Sequence, residues 1–295
     1  MPSPRSAKDE TDTVGLELVV LAGDHPGFND PAYRARRNAI ARLAIEHRGE
    51  APSNVEYTED EHAVWRTVWK ELAPSHQSLA CRESLEGLRS FGFDRDAIPS
   101  FAEVNAKLGA HLGFELAPVA GLVEARCFME RLATRRFLAT QYVRHGSRPL
   151  YTPEPDVIHE YIGHVGALCH PATVELNLAF GRATAGVTSP DVVEKLIRIY
   201  WYVLEFGLVE EDGEPKALGA GLLSSFGELR RFRREAELLP WDLDRIAATA
   251  FDPTDYQRTL FVAPSFTRMR DDVCAWLGEA GEGRPPEELA GGPSG

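Results

Sequence analysis

Residues 151–164 read YTPEPDVIHEYIGH and are the most informative run in the chain. Pro153 and Pro155 stiffen its start. Asp156 follows, and the next residues suit a helix that carries His159, Glu160 and His164. Five residues separate the two histidines, about 140° around an α-helix of 3.6 residues per turn. They do not stack as a pair four apart would, yet long imidazole arms let them converge on one ion beside the helix. Taken alone, they are equally two helix histidines with no shared role. A zinc hydrolase would carry H-E-x-x-H, with histidines four apart and Glu as base. The run here is one residue longer, which turns the second histidine by about 100° on an α-helix, so that match fails.

A third side chain changes the reading. Glu205 lies in IYWYVLEFGL, residues 199–208, a carboxylate in an otherwise apolar helix. A buried carboxylate costs several kcal/mol unless it is paired or metal-bound. It also falls in the last helical turn, where the macrodipole disfavours negative charge by ~0.3–1 kcal/mol. Both penalties argue for a nearby cation; solvent exposure or pairing with Arg198 is the other way out. Two histidines and one carboxylate on one face of a metal form the facial triad of non-haem iron(II) oxygenases. Three ligands leave positions open for chemistry, whereas a structural zinc site is closed by four.

Around this core the pattern is mostly helical. Residues 31–47 and 59–72 have apolar residues at helical spacing, and Trp65 and Trp69 share a face. In the stretch 189–206, Ser189 suits the N-cap, Pro190 the first position and Gly207 the C-terminal stop. Strand signals are short, with Asp212-Gly213 as a hairpin turn ahead of residues 218–225. The expected fold class is mainly α with a small β component. One compact domain is expected over residues 15–279, with disordered tails at 1–14 and 280–295.

The chain of 295 residues carries a net charge of −13. That surface repels nucleic-acid phosphates and anionic lipid, so neither is expected as a partner. Cys81, Cys127, Cys169 and Cys274 form no CxxC pair, which argues against a disulfide or zinc-ribbon framework and fits a reducing cytoplasm. No apolar run reaches the ~20 residues of a membrane span, and the first residues lack a signal-peptide core. After Trp276 only a Gly/Pro/Glu-rich segment remains, without heptads, so a monomer is expected.

With these residues in view, the sequence resembles the pterin-dependent aromatic amino acid hydroxylases. The resemblance runs from about Val55 to Phe266. It rests on VEYT (55–58), PVAGL (118–122), TQYVRHGSRPLYTPEPD (140–156), IYWYVLEFGL (199–208) and GAGLLSSFGE (219–228). It implies that His159, His164 and Glu205 ligate iron(II). On the pterin side it implies backbone contacts from Gly121 and Leu122, stacking on Phe128, and Glu160 beside the ring. For the amino acid it implies Arg144 on the carboxylate, Thr152 and Ser224 as polar neighbours, and Pro155 and Trp201 on the ring. A guanidinium suits a carboxylate through two parallel hydrogen bonds. Leu138, Ala125 and Pro253 depart from residues common among relatives. The family's animal members also have a regulatory domain and a C-terminal tetramerisation helix, neither of which is expected here.

The activity so implied is a tetrahydropterin-dependent monooxygenation. One atom of dioxygen goes to the pterin and the other to the ring of a free aromatic amino acid. Phenylalanine to tyrosine is the first expectation, because Trp201 suits phenylalanine and tyrosine hydroxylases better than tryptophan ones. Phenylalanine 3-hydroxylation and tryptophan 5-hydroxylation stay open. From another class, so does a metal-free amino-acid sensor on the same scaffold.

Overall fold

The computed structural model describes residues 18–47, 54–253 and 255–281. Most of both expected tails lies outside these residues. The last helix runs to Gly281, two residues into the stretch expected as the C-terminal tail.

Helices dominate the first half: α1 (Pro31–Glu46), α2 (Glu59–Leu79), α3 (Arg82–Phe91) and α4 (Phe101–Leu112). Asp30 caps α1, and Thr58 and Glu61 close a reciprocal capping box on α2. Helix α2 runs seven residues past the expected Leu72, through Pro74. Packing overrides the proline there: Trp65, Trp69, Leu72 and His76 are buried along one face, and the two indoles meet edge to face at 5.7 Å.

Strands β1 (Glu115–Pro118) and β2 (Arg136–Ala139) flank α5 (Ala125–Leu132) and pair in parallel. The chain then runs through residues 140–158 with little regular structure. Gln141 to Val143 belong to this irregular stretch.

Next come a π turn (His159–Val165), α6 (Gly166–Leu168), α7 (Pro171–Gly186), α8 (Pro190–Tyr200) and a second π turn (Trp201–Glu205). The hairpin β3 (Leu208–Glu211) and β4 (Glu214–Ala217) is joined by Asp212 and Gly213, both at positive φ, as its two-residue turn requires. Helices α9 (Ala220–Ser224) and α10 (Phe226–Glu235), β5 (Glu237–Pro240), α11 (Leu243–Ala248), β6 (Thr259–Ala263) and α12 (Phe266–Gly281) complete the chain. The larger sheet has the order β4-β3-β6-β5. One hydrophobic cluster links α2 through α12, so the architecture is a single, mainly helical domain with two small sheets.

Two expectations at α8 need correction. Ser189 precedes the helix, but its hydroxyl caps nothing; Pro190 does take the first turn. Gly207 is not a left-handed stop, being absent from the positive-φ glycines. It is small because a Cβ there would lie 2.1 Å from the Val203 carbonyl oxygen. All four cysteines are free.

Candidate metal centre and its two cavities

The expectation of an α-helix through His159 and His164 is wrong in one respect that matters. Residues 159–165 form a π turn, closed by Gly166 N–H donating to the Tyr161 carbonyl. Hydrogen bonds from i to i−5 bring residues five apart one above the other. The 140° separation therefore narrows, and the rings meet at 4.8 Å. The second π turn does the same for the carboxylate: Phe206 N–H donates to Trp201 O at 2.8 Å, and Glu205 ends the turn facing the histidines. Arg198, the alternative partner, pairs with Glu194 instead.

The three ligand-type side chains converge. His164 Nε2 lies 3.1 Å from His159 Nε2 and 3.0 Å from Glu205 Oε1; His159 Nε2 lies 3.7 Å from Glu205 Oε2. The tautomer of His159 follows from its neighbour. Ser224 Oγ donates to Ala220 O at 2.8 Å, so it accepts from His159 Nδ1–H at 2.8 Å. The Nε2 lone pair then points into the cluster.

Burial pushes the His159 pKa down to about 4, against the opposing pull of Glu205. Burial also lowers His164, but the Glu205 charge and hydrogen bond outweigh it and raise that group. The Glu205 carboxyl would be raised by burial, and His164 holds it below its ordinary value. A divalent cation suits this set. It would satisfy two imidazole nitrogens and a carboxylate at once.

Two cavities meet at this cluster. One, of about 340 Å³, is lined by Arg144, Thr152, Ser224 and Glu228 among others. The other, of about 400 Å³ and mostly apolar, is lined by Gly121, Leu122, Phe128, Leu138, Glu160 and His164 among others. Pro155, His159, Trp201, Glu205 and Pro253 line both. Every site residue expected from sequence thus borders one cavity or both. The departures Ala125, Leu138 and Pro253 are also wall residues.

Several of these residues have partners the sequence did not announce. Arg144 is buried, and a two-pronged pair holds it to Asp156: Nε–Oδ2 2.9 Å and Nη2–Oδ1 2.8 Å. Burial would raise Asp156, but Arg144 holds it below the usual carboxylate range. The same carboxylate accepts from Arg144 N–H and from His159 N–H, so it caps the metal-bearing turn as well. Thr152 turns its hydroxyl onto the Glu154 carbonyl at 2.6 Å. Glu160 accepts from Thr140 N–H and Oγ1, and burial pushes its pKa up to about 7.

Sequence reasoning noted Asp156 only as a neighbour, although a carboxylate three residues before His159 is an N-cap signal. It missed Thr140, Glu228 and Gln257, which carry no local pattern.

A profile of the family described as "Biopterin-dependent aromatic amino acid hydroxylase" matches residues 10–280. Tyrosine 3-monooxygenase of Mus musculus is 43% identical over 256 residues, 85% of this chain and 51% of that protein. Phenylalanine-4-hydroxylase of Homo sapiens is 43% identical over 262 residues, 86% of this chain and 57% of that protein. The chain thus spans somewhat over half the length of these curated relatives. Among solved structures, phenylalanine hydroxylase of Chromobacterium violaceum with iron(III) and 7,8-dihydrobiopterin superposes with a TM-score of 0.70 at 33% identity. That match covers 78% of this chain and 85% of that one. The Legionella pneumophila enzyme gives 0.69 at 28% identity, covering 77% and 91%.

Fold and site define a mainly helical domain with a two-histidine, one-carboxylate centre. The chain belongs to the biopterin-dependent aromatic amino acid hydroxylases. No helix among the described residues is long and apolar enough to cross a membrane.

Proposed function

We propose that this chain is an iron(II)- and tetrahydropterin-dependent monooxygenase that hydroxylates free phenylalanine to tyrosine. One observation carries the reading: His159, His164 and Glu205 converge where two separate cavities meet. Such a junction suits two organic reactants that must reach one metal. Iron(II) held by these three side chains supplies dioxygen activation, with tetrahydropterin as co-reductant.

The protein's own groups do the rest. Arg144, held by Asp156, offers Nη1, which has no hydrogen-bond partner among the described residues, to the substrate carboxylate. The ring lies toward Trp201, Phe206, Pro155 and Pro253. These are carbon-rich surfaces that suit an unsubstituted phenyl ring better than one whose hydroxyl needs a partner. Phe128, Gly121, Leu122 and Glu160 border the pterin cavity. Apolar walls exclude water from the reacting centre. The metal-free sensor is disfavoured, because the ligand atoms are already assembled and His159 is held in the metal-binding tautomer.

The test combines iron analysis with product identification. Protein loaded with iron(II), given tetrahydropterin and dioxygen, should convert phenylalanine to tyrosine by mass and NMR. His159→Ala, His164→Ala and Glu205→Ala should each lose iron and turnover. Full turnover by any of the three overturns the ligand assignment. Turnover supported by 2-oxoglutarate in place of the pterin overturns the reaction class.

A further inference from the structure

Gln257 is buried and has no part in the metal or ligand sets above. It nevertheless joins three pieces of the substrate cavity. Its Oε1 accepts from Trp201 Nε1–H at 2.9 Å. Its Nε2 donates to the carbonyls of Asp252 and Asp255 at 2.8 and 2.9 Å. Its backbone N–H donates to Glu228 Oε1 at 2.8 Å.

The orientation of the amide is forced. An indole N–H only donates and a carbonyl only accepts, so a single group with one acceptor and two donors is required. Glutamate, the same size, would set a carboxylate against two carbonyl oxygens. A thioether or alkyl chain would break all three of these bonds. The position thus needs glutamine chemistry, for a reason that packing alone does not supply.

What it joins lies against the reaction. Trp201 starts the π turn that ends in Glu205 and forms a wall of both cavities. Its indole stacks on Phe251 at 4.1 Å and 10°. Pro253, between the two carbonyls that Gln257 holds, is also a wall of both cavities. Tyr202 OH, donating to Ala250 O at 3.0 Å, fastens the start of the same segment. One side-chain amide therefore ties the indole to the segment that carries Pro253.

We propose that Gln257 is a positioning residue that fixes where the substrate ring sits relative to the metal centre. It acts through Trp201 and Pro253. Two quantities depend on it: selection among aromatic side chains, and the fraction of pterin oxidation that ends in ring hydroxylation. In the unproductive branch tetrahydropterin passes two electrons and two protons to dioxygen, giving dihydropterin and hydrogen peroxide. In the productive branch one oxygen atom enters the ring and the other leaves on the pterin. The inference rests on the function proposed above.

The experiment compares Gln257→Glu, Gln257→Met, Trp201→Phe and Gln257→Met/Trp201→Phe with the unaltered chain. For the Gln257 variants the amino-acid KM should rise about tenfold, the scale of one lost hydrogen bond. Hydroxylated product per pterin oxidised should fall, with peroxide making up the difference. Iron content should stay put, and the pterin KM should move less than the amino-acid KM. Calorimetric binding of phenylalanine should weaken in parallel.

Trp201→Phe removes the indole donor and leaves the Asp252 and Asp255 bonds, so the double variant should fall short of the product of the two single effects. Fully multiplying effects would mean that the indole is not a route by which Gln257 acts and would overturn the proposal. So would unchanged KM, coupling and binding. If the Gln257 variants do not fold, Trp201→Phe alone must show the KM rise and the peroxide, and its failure to do so is equally decisive. An unaltered chain that binds phenylalanine but turns over no aromatic amino acid sinks the proposed function instead. Weakened binding in the variants then still supports the positioning role.

Discussion

Whether the centre can take a metal depends on one proton. His159 keeps its Nε2 lone pair inward because Ser224 accepts the Nδ1 proton while donating its own to Ala220. Partners of this kind commonly contribute 10–100-fold to metal affinity. Ser224→Ala should therefore weaken iron(II) binding by about tenfold or more, read from equilibrium metal titration, while the melting temperature changes little. Unchanged affinity would show that the tautomer is fixed by other means. At this scale the sequence was legible where chemistry names a residue: two histidines and an out-of-place carboxylate declare themselves. Asp156, Ser224 as a histidine partner, and Gln257 did not. Their roles are hydrogen bonds across 3, 65 and 56 positions in sequence, and the longer two arise only once the chain has folded.

Elements show a different kind of legibility. The helices with caps and apolar stripes were readable, and so was the Asp212-Gly213 hairpin. The parallel pairs β1–β2 and β5–β6 were not, because four- and five-residue strands carry too little alternation. Nor were the π turns, since no local propensity signals the extra residue. The one-residue excess that excluded a zinc hydrolase is the residue the π turn absorbs. What secures that turn is close packing. A Cβ on Gly163 would lie 2.7 Å from Ala220 Cβ and 2.8 Å from its carbonyl oxygen. Helix α9, which carries Ser224, presses there. Gly163→Ala must push α9 away, at a cost of ~1–3 kcal/mol for overpacking. We expect a lower melting temperature together with reduced iron retention. A normal melt with full iron content would show that α9 has room to give.

At the scale of the molecule, α1 holds the substrate side of the site from outside. Tyr33 OH donates to Val143 O at 3.0 Å, and Arg37 Nη1 pairs with Glu154 at 3.0 Å. Arg37 is 2% exposed, stacks over the Tyr142 ring at 3.3 Å, and leaves Nε and Nη2 without hydrogen-bond partners. Glu154 is its only carboxylate partner among the described residues, and it lies between Pro153 and Pro155 on the cavity wall. Removing one member of a buried pair costs ~3–5 kcal/mol, and the partial exposure of Glu154 places this pair at the lower end. At ~2–4 °C per kcal/mol for a chain of this size, Glu154→Ala should melt roughly 6–12 °C lower in scanning calorimetry. A shift within about 2 °C would mean that Tyr142 alone accommodates the guanidinium. None of this clamp was legible beforehand. It joins residues more than a hundred positions apart, and no periodicity encodes such a pairing.

The wall common to the two cavities has a thermodynamic consequence. Pro155, His159, Trp201, Glu205 and Pro253 cannot be stiffened or shifted from one side without the other side registering it. Whatever factor one occupant imposes on the other's affinity must be returned unchanged, because linkage between binding equilibria is reciprocal. The two small molecules are thereby each other's effectors across a shared wall.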